Sequence, residues 1–158
     1  RPPRSTPKPS SAASDVYKRQ LSLRMQRHSD NALKIASWLE EQETVEAVTY
    51  AGLKSSPYFD RVKKVCPKGA GGLFTVALKG GYDSCVNFVN ALEIFSHVAN
   101  LGDSRSLVIH TASTTHRQLT VEQQIAAGSA PNVVRISIGI EDPDDLIADL
   151  KQALSAAR

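Results

Sequence analysis

The sequence is poor in the features that mark several common classes of protein. Only two of its 158 residues are cysteine, Cys66 and Cys85, which fits a reducing compartment and predicts two small buried side chains rather than a disulfide. No apolar run approaches the roughly 18 residues of a membrane-spanning helix, and residues 1–20 lack the apolar segment of a secretory signal. We therefore expect a cytoplasmic protein with no membrane partner.

Positive charge is concentrated at one end of the chain. The net charge is +3 and the isoelectric point about 9.0, but residues 1–20 carry five basic side chains and one acidic one, so the other 138 residues have a net charge of −1. A nucleic-acid-binding domain needs a basic patch on its folded surface. The charge distribution therefore predicts no nucleic-acid partner.

The motifs of several catalytic and metal sites are also missing. There is no G-x-S-x-G, and the glycine-rich stretch at residues 67–74 lacks the G-K-[ST] of a phosphate-binding loop and precedes a predicted strand rather than a helix. Neither cysteine lies at ligand spacing from a histidine. We therefore predict no metal site from the four histidines, which are His28, His97, His110 and His116.

Composition divides the chain near residue 20. Residues 1–20 are rich in proline, serine and basic residues, and such a segment cannot bury enough apolar surface to offset its ordering entropy. We expect it to be a disordered tail that looks non-native, because SSAASDVYKRQ resembles translated adaptor sequence. Residues 21–158 are predicted to form the folded domain.

Periodicity in this domain predicts helices alternating with short strands. The fold class is α/β, as an α+β two-layer arrangement of about four strands with helices packed on one face. The expected helices cover residues 21–41, 58–66, 82–98 and 120–128, with a last helix capped by Asp142. The expected strands cover residues 45–50, 73–79, 105–110 and 132–140.

The last of these strands carries an arginine in its centre. Strand period places Arg135 and Ser137 on one face, opposite an apolar face of Val134, Ile136, Ile138 and Ile140. A guanidinium binds a carboxylate through two parallel hydrogen bonds and keeps its charge at any relevant pH. Arg135 is therefore a candidate anion-binding residue. The alternative is an edge-strand arginine exposed to water or held in a structural salt bridge.

Four segments of the predicted domain carry a resemblance to a known family. They are LSLRMQRHSDNALKIASWLE, PKGAGGLFTVALKGG, NALEIFSHVANLGDSRSLVIHTASTTHRQL and VVRISIGIEDPDDLIADLKQAL. In order and spacing they resemble the C-terminal part of the Cys/Met-metabolism pyridoxal-phosphate enzymes, and most of all their O-acetylhomoserine sulfhydrylase (O-acetylhomoserine aminocarboxypropyltransferase) branch. The resemblance runs from Leu21 to about Leu154 and implies the small C-terminal lobe of a type I aminotransferase-like fold.

The resemblance implies roles for several residues. Arg135, in the V-R-[IL]-S-[IV]-G strand, would bind the α-carboxylate of the substrate, and Ser106 would lie at the same carboxylate site. Thr111 stands where the family usually has proline. Arg105 occupies a position at which relatives that bind cysteine or cystathionine often carry a glutamate for the ammonium group, so a basic residue there favours the sulfhydrylase branch.

The resemblance also implies what this segment leaves out. In the family, the Schiff-base lysine and the phosphate-binding loop lie in a large N-terminal pyridoxal-phosphate domain, which precedes the part matched here. We therefore expect no catalytic and no cofactor-binding residue in this chain, which alone would be inactive. The complete enzyme would be a homotetramer that binds pyridoxal 5'-phosphate and a small amino-acid substrate.

The implied reaction converts O-acetyl-L-homoserine and sulfide to homocysteine and acetate, a step of methionine biosynthesis. Two alternatives stay open from the sequence. One keeps the family and changes the reaction to that of a cystathionine γ-synthase, cystathionine γ-lyase or methionine γ-lyase. The other is a stand-alone module that binds a small carboxylate through Arg135.

Overall fold

The computed structural model describes residues 11–100 and 102–157, with side chains described from Lys18. This part of the chain contains five helices and five strands, with the third and fourth strands directly consecutive and a 3₁₀ turn at Thr111–Ser113 after the fourth strand. The helices are α1 (Ser11–Glu40), α2 (Phe59–Val65), α3 (Gly81–Ala91), α4 (Val121–Ala126) and α5 (Pro143–Ala156). The strands are β1 (Val45–Thr49), β2 (Leu73–Leu78), β3 (Ser96–His97), β4 (Leu107–His110) and β5 (Val133–Ser137).

The strands form one sheet in the order β1-β2-β5-β4-β3. All neighbours are antiparallel except β3 and β4, which are parallel. The expected count of about four strands missed β3, which has only two residues. β5 is central, and its Arg135 pairs with Thr75 of β2 on one side and with Ile109 of β4 on the other.

One face of the sheet carries the hydrophobic core. Val134 and Ile136 of β5 are fully buried and belong to one cluster with Ile35 of α1, Phe88 of α3 and Leu150 of α5. This face confirms the period-2 prediction for β5 up to Ile138. Ile140 was predicted to share the apolar face, but it is 40% exposed because the strand ends at Ser137.

The first helix is longer than predicted. We expected it to begin at Leu21 after a disordered tail, yet α1 begins at Ser11. The last proline before this helix is Pro9, and residues 11–20 contain only residues that a helix tolerates, so α1 continues upstream without a break. The helix thus includes residues 11–20, which we expected to be part of a disordered tail, and residues 1–10 lie outside the described part.

The two halves of α1 differ in burial. Ile35, Ala36 and Leu39 are buried in the core as predicted, whereas Leu21 and Met25 are exposed despite their apolar spacing. None of the helices in the described part is long and apolar enough to cross a membrane.

The third helix is shorter than predicted. The amphipathic pattern suggested a helix to Val98, but α3 ends at Ala91. The cause is a tertiary contact: the carboxylate of Asp149 on α5 accepts hydrogen bonds from the backbone N–H groups of Glu93 and Ile94, at 3.0 and 2.8 Å. These bonds turn the chain away from helical geometry, and the next residues form β3.

Side chains cap the first turns of two helices, and the predicted cap at Asp142 is confirmed. At α4, Thr120 and Gln123 form the reciprocal capping box, with each side chain bonded to the other residue's backbone N–H. At α5, the Asp142 carboxylate accepts the Asp144 N–H at 2.8 Å, and Pro143 takes the first turn.

Candidate functional site

Arg135 lies at the centre of the sheet face opposite the main core. Its side chain is half-buried, and its guanidinium makes no salt bridge or hydrogen bond with any residue in 11–100 or 102–157. A partly desolvated charge is costly unless an opposite charge or hydrogen-bond acceptors accompany it. The structural salt bridge that the sequence left open for Arg135 is absent from the described residues.

A cavity of about 150 Å³ opens beside this guanidinium. Arg135 and Ser137 form its floor on β5, and its walls come from α1, from the start of β2 and from the segment before β4. The volume is well below the roughly 300–1,000 Å³ of sites for drug-sized ligands, so the cavity suits a small anionic group. Its walls include His28, Gly72, Asp103 and Ile138.

Ser106, the second predicted site residue, lies behind this cavity rather than in its wall. Its side chain is fully buried. Its hydroxyl donates to the Glu141 carboxylate at 3.0 Å and accepts the backbone N–H of Gly139 at 2.8 Å. The structure therefore connects Ser106 to the end of the Arg135 strand, and the hydroxyl hydrogen is already engaged.

Glu141 is a residue of this region that sequence reasoning missed. Besides the Ser106 hydroxyl, its carboxylate accepts the Ser106 backbone N–H at 2.6 Å. Glu141 follows the predicted strand and precedes the Asp142 cap. In the sequence it therefore cannot be distinguished from the other acidic residues at the start of the last helix. No sequence pattern signalled its contact with a residue 35 positions away.

Arg105 is paired with an acidic residue at the cavity rim. Its Nε and Nη2 lie 3.2 and 3.0 Å from the two carboxylate oxygens of Asp103. The hydrogen bonds from the Arg105 guanidinium and backbone N–H hold the pKa of Asp103 below its usual range. Asp103 lines the cavity, so the cavity rim carries an ion pair rather than an isolated positive charge.

Side chains of α1 hold the end of β5 from the other side. His28 Nδ1 lies 2.6 Å from the Ile138 carbonyl oxygen, and Asn31 Nδ2 donates to the carbonyl oxygens of Gly139 and Glu141 at 3.1 and 2.9 Å. The first helix and the strand of Arg135 are thus fixed relative to one another by hydrogen bonds between buried groups.

The other sequence candidates have structural explanations. The glycine-rich stretch forms a turn against α1, in which the Gly71 N–H donates to the Ser29 hydroxyl at 3.2 Å. In the loop after β4, the Ser113 and Thr114 hydroxyls donate to the His110 carbonyl oxygen at 3.2 and 2.8 Å, as in a turn held by hydroxyl side chains.

His110 makes a structural contact, and of the two cysteines only one is buried as predicted. His110 is buried, with Nε2 2.8 Å from the Pro131 carbonyl oxygen, and burial lowers its pKa. Both cysteines are free thiols, but only Cys85 is buried, so the predicted burial of Cys66 was wrong. Cys66 lies just after α2, on the exposed side of that short helix. Within the described residues no group of three His, Cys, Asp or Glu side chains could hold a metal ion.

The described lysines do not fit a covalent cofactor site. Every lysine from Lys18 onward is exposed, and none lines the Arg135 cavity. A Schiff-base lysine must face an enclosed pocket that also binds the phosphate of the cofactor. Among the residues described, no lysine therefore offers pyridoxal phosphate a fitting attachment site.

The described residues thus form a five-stranded sheet with the core on one face and, on the other, an arginine that lines a small cavity and has no partner among them. Residues 18–155 match the sequence profile of the Cys/Met metabolism PLP-dependent enzymes. The chain belongs to this family, whose members depend on pyridoxal phosphate.

Individual relatives agree with this assignment. The chain is 48% identical over 135 residues to O-acetyl-L-homoserine sulfhydrylase 1 of Thermus thermophilus, covering 85% of this chain and 32% of that protein. It is 42% identical to L-methionine gamma-lyase of Pseudomonas putida, covering 87% of this chain and 34% of that protein. The chain thus spans about a third of the length of the curated relatives it matches.

A solved structure is similar over the same range. It is assigned as an O-acetylhomoserine (thiol)-lyase of Campylobacter jejuni and contains N'-pyridoxyl-lysine-5'-monophosphate. The TM-score is 0.80 at 42% identity, and the match covers 86% of this chain and 32% of that one. The expected lobe of a type I aminotransferase-like fold is confirmed at the level of a mixed α/β domain similar to part of a pyridoxal-phosphate enzyme.

Proposed function

We propose that this chain supplies the part of an O-acetyl-L-homoserine sulfhydrylase that binds the α-carboxylate of the substrate. The single observation that carries the proposal is the half-buried Arg135, which lines a cavity of about 150 Å³ and has no partner among the described residues. The overall reaction would join O-acetyl-L-homoserine and sulfide to give homocysteine and acetate, which fits methionine biosynthesis.

Arg135 acts by binding and orientation. Its position between two paired strands fixes the backbone from both sides, so its planar guanidinium meets a carboxylate in one orientation through two hydrogen bonds. Holding one end of a small substrate in this way limits the directions in which its reacting carbon can face. Ser106 supports the same site from behind, through the end of β5.

The cofactor chemistry is proposed to reside outside residues 18–155. The exposure of every described lysine supports this, as does the pyridoxyl-lysine in the similar structure, of which this chain covers only 32%. In this proposal the complete enzyme contains an N-terminal pyridoxal-phosphate domain, assembles as a homotetramer, and works in the cytoplasm. Residues 18–155 alone would have no activity.

Two observations favour the sulfhydrylase over the lyases of the same family. Four curated relatives named as O-acetyl-L-homoserine sulfhydrylases or homocysteine synthase are 46–48% identical to this chain, against 40–42% for two L-methionine gamma-lyases. The ion pair of Arg105 with Asp103 leaves no unpaired carboxylate at that position to attract the ammonium group of an amino-acid acceptor.

A hybrid enzyme tests the proposal. Residues 18–155 would replace the segment that they match in the Thermus thermophilus sulfhydrylase, and homocysteine formation from O-acetyl-L-homoserine would be measured with sulfide and, separately, cystathionine formation with cysteine. We expect activity with sulfide and little with cysteine. A hybrid that prefers cysteine, or that releases methanethiol from methionine, would contradict the sulfhydrylase assignment.

Arg135 is tested in the same hybrid enzyme. Arg135→Ala should raise the KM for O-acetyl-L-homoserine about 100-fold, equivalent to about 2.7 kcal/mol, while Arg61→Ala, at an exposed position on α2, should leave it unchanged. An unchanged KM for Arg135→Ala would refute the carboxylate-binding role.

A further inference from the structure

The carboxylate of Glu141 joins two segments that both border the Arg135 cavity. Its two oxygens accept the backbone N–H and the hydroxyl of Ser106, at 2.6 and 3.0 Å. The same hydroxyl accepts the Gly139 N–H at 2.8 Å, and the Ile140 N–H donates to the Ser104 carbonyl oxygen at 2.9 Å. Four hydrogen bonds thus connect the end of β5 with the segment that leads into β4.

Gly139 allows this contact because it has no side chain. A Cβ added to Gly139 would overlap the Glu141 carboxylate and lie 2.5 Å from the Ser104 carbonyl oxygen. Any side chain here would therefore push the two segments apart. The close approach of the two segments therefore depends both on the missing side chain at Gly139 and on the carboxylate of Glu141.

The segments joined in this way carry the wall of the cavity. Ile138 lines it immediately before Gly139, and Asp103 lines it immediately before Ser104. The Ile138 N–H also donates to the Gly72 carbonyl oxygen at 2.7 Å, and Gly72 is another wall residue. Loss of the Glu141 carboxylate would free Ser106 and let the Asp103 side of the cavity move relative to Arg135.

We propose that Glu141 is a positioning residue of the Arg135 site: its carboxylate bridges Ser106 and thereby sets the spacing between β5 and the 103–106 segment across the cavity. This inference rests on the proposed function. Glu141 does not touch the substrate. Ser106 acts through the same bridge, since its hydroxyl hydrogen is held by Glu141.

The test compares Glu141→Gln with Glu43→Gln in the hybrid enzyme. The two substitutions remove the same charge, and Glu43 is exposed beside the start of β1. A glutamine amide group has one acceptor oxygen, so it can accept from only one of the Ser106 N–H and hydroxyl groups and leaves the other without its acceptor. We therefore expect Glu141→Gln to raise the KM for O-acetyl-L-homoserine about tenfold with kcat changed less than about twofold. Glu43→Gln should change neither constant.

A double substitution separates positioning from stability. Ser106→Ala should raise KM by itself, and adding Glu141→Gln to it should raise KM by much less than the product of the single effects, because both substitutions break one bridge. If Glu141→Gln does not fold, Glu141→Asp serves instead, since it keeps the charge but is too short to reach both donors. The melting temperature of each variant shows whether a KM effect follows stability.

The outcomes test the positioning role of Glu141 separately from the carboxylate-binding role of Arg135. If Arg135→Ala raises KM and Glu141→Gln (or Glu141→Asp) leaves it unchanged, Glu141 is not a positioning residue and the carboxylate role of Arg135 stands. Multiplicative effects of the Ser106 and Glu141 substitutions would also overturn the bridge. If Arg135→Ala leaves KM unchanged, the proposed function fails and the inference fails with it.

Discussion

Two charged side chains of this domain are surrounded in opposite ways. Asp149, on α5, is buried and its carboxylate accepts hydrogen bonds from Glu93, Ile94 and Gln152 at 2.8–3.0 Å. Arg135, on the central strand, is half-buried beside a cavity and has no hydrogen-bond partner among the described residues. The first arrangement fixes the course of the chain, whereas the second leaves binding capacity for a ligand.

Removing the satisfied charge should have the largest effect on folding. Asp149→Ala leaves the N–H groups of Glu93 and Ile94 without acceptors at the end of α3, so we expect the free energy of unfolding to fall by about 3 kcal/mol. Urea unfolding of the 158-residue chain measures this. Asp83→Ala, at an exposed position on α3, should cost less than about 1 kcal/mol. Equal losses of unfolding free energy in Asp149→Ala and Asp83→Ala would contradict the structural role of the Asp149 carboxylate.

A neutral group offers an intermediate case. Thr111 is buried and its hydroxyl has no hydrogen-bond partner among the described residues. Thr111→Val keeps the shape and removes the unsatisfied group, so the free energy of unfolding should rise by about 1 kcal/mol. Thr114→Val removes a hydroxyl that donates to the His110 carbonyl oxygen and should lower it. A lower stability for Thr111→Val would show that the hydroxyl has a partner in solution.

Removing the unsatisfied charge should have the smallest effect on folding. Arg135→Met keeps most of the aliphatic volume and removes a charge that no described residue compensates, so the free energy of unfolding should change by less than about 0.5 kcal/mol or increase slightly. The same urea experiment measures it. A loss of more than about 1.5 kcal/mol would mean that Arg135 is structural.

The same contrast explains what could be predicted from the sequence. The structure confirms three features that depend on local pattern. They are the face of Arg135, the apolar face of β5 up to Ile138 and the cap at Asp142. The end of α3 depends on Asp149, a residue more than 50 positions away in sequence. Periodicity carries no information about such a contact, and the amphipathic pattern therefore predicts a helix that continues to Val98.

The candidate site divides in the same way. Arg135 was predicted as a binding residue because a charged residue interrupts an alternating strand, and this role stays a prediction. Ser106 was predicted only through resemblance to a family, and its hydrogen bonds to Glu141 and Gly139 show that its surroundings depend on tertiary structure. Glu141 was missed because an acidic residue before a helix is commonplace.

The most direct test of the account asks whether Arg135 recognises the carboxylate itself. In the hybrid enzyme, kcat/KM would be measured for O-acetyl-L-homoserine and for its α-carboxamide, with Arg135 and with Arg135→Ala. With Arg135, we expect the carboxamide to react about 100-fold less efficiently, and with Arg135→Ala the two substrates should differ by less than about threefold. An equal preference for the carboxylate in both enzymes would show that another residue binds it.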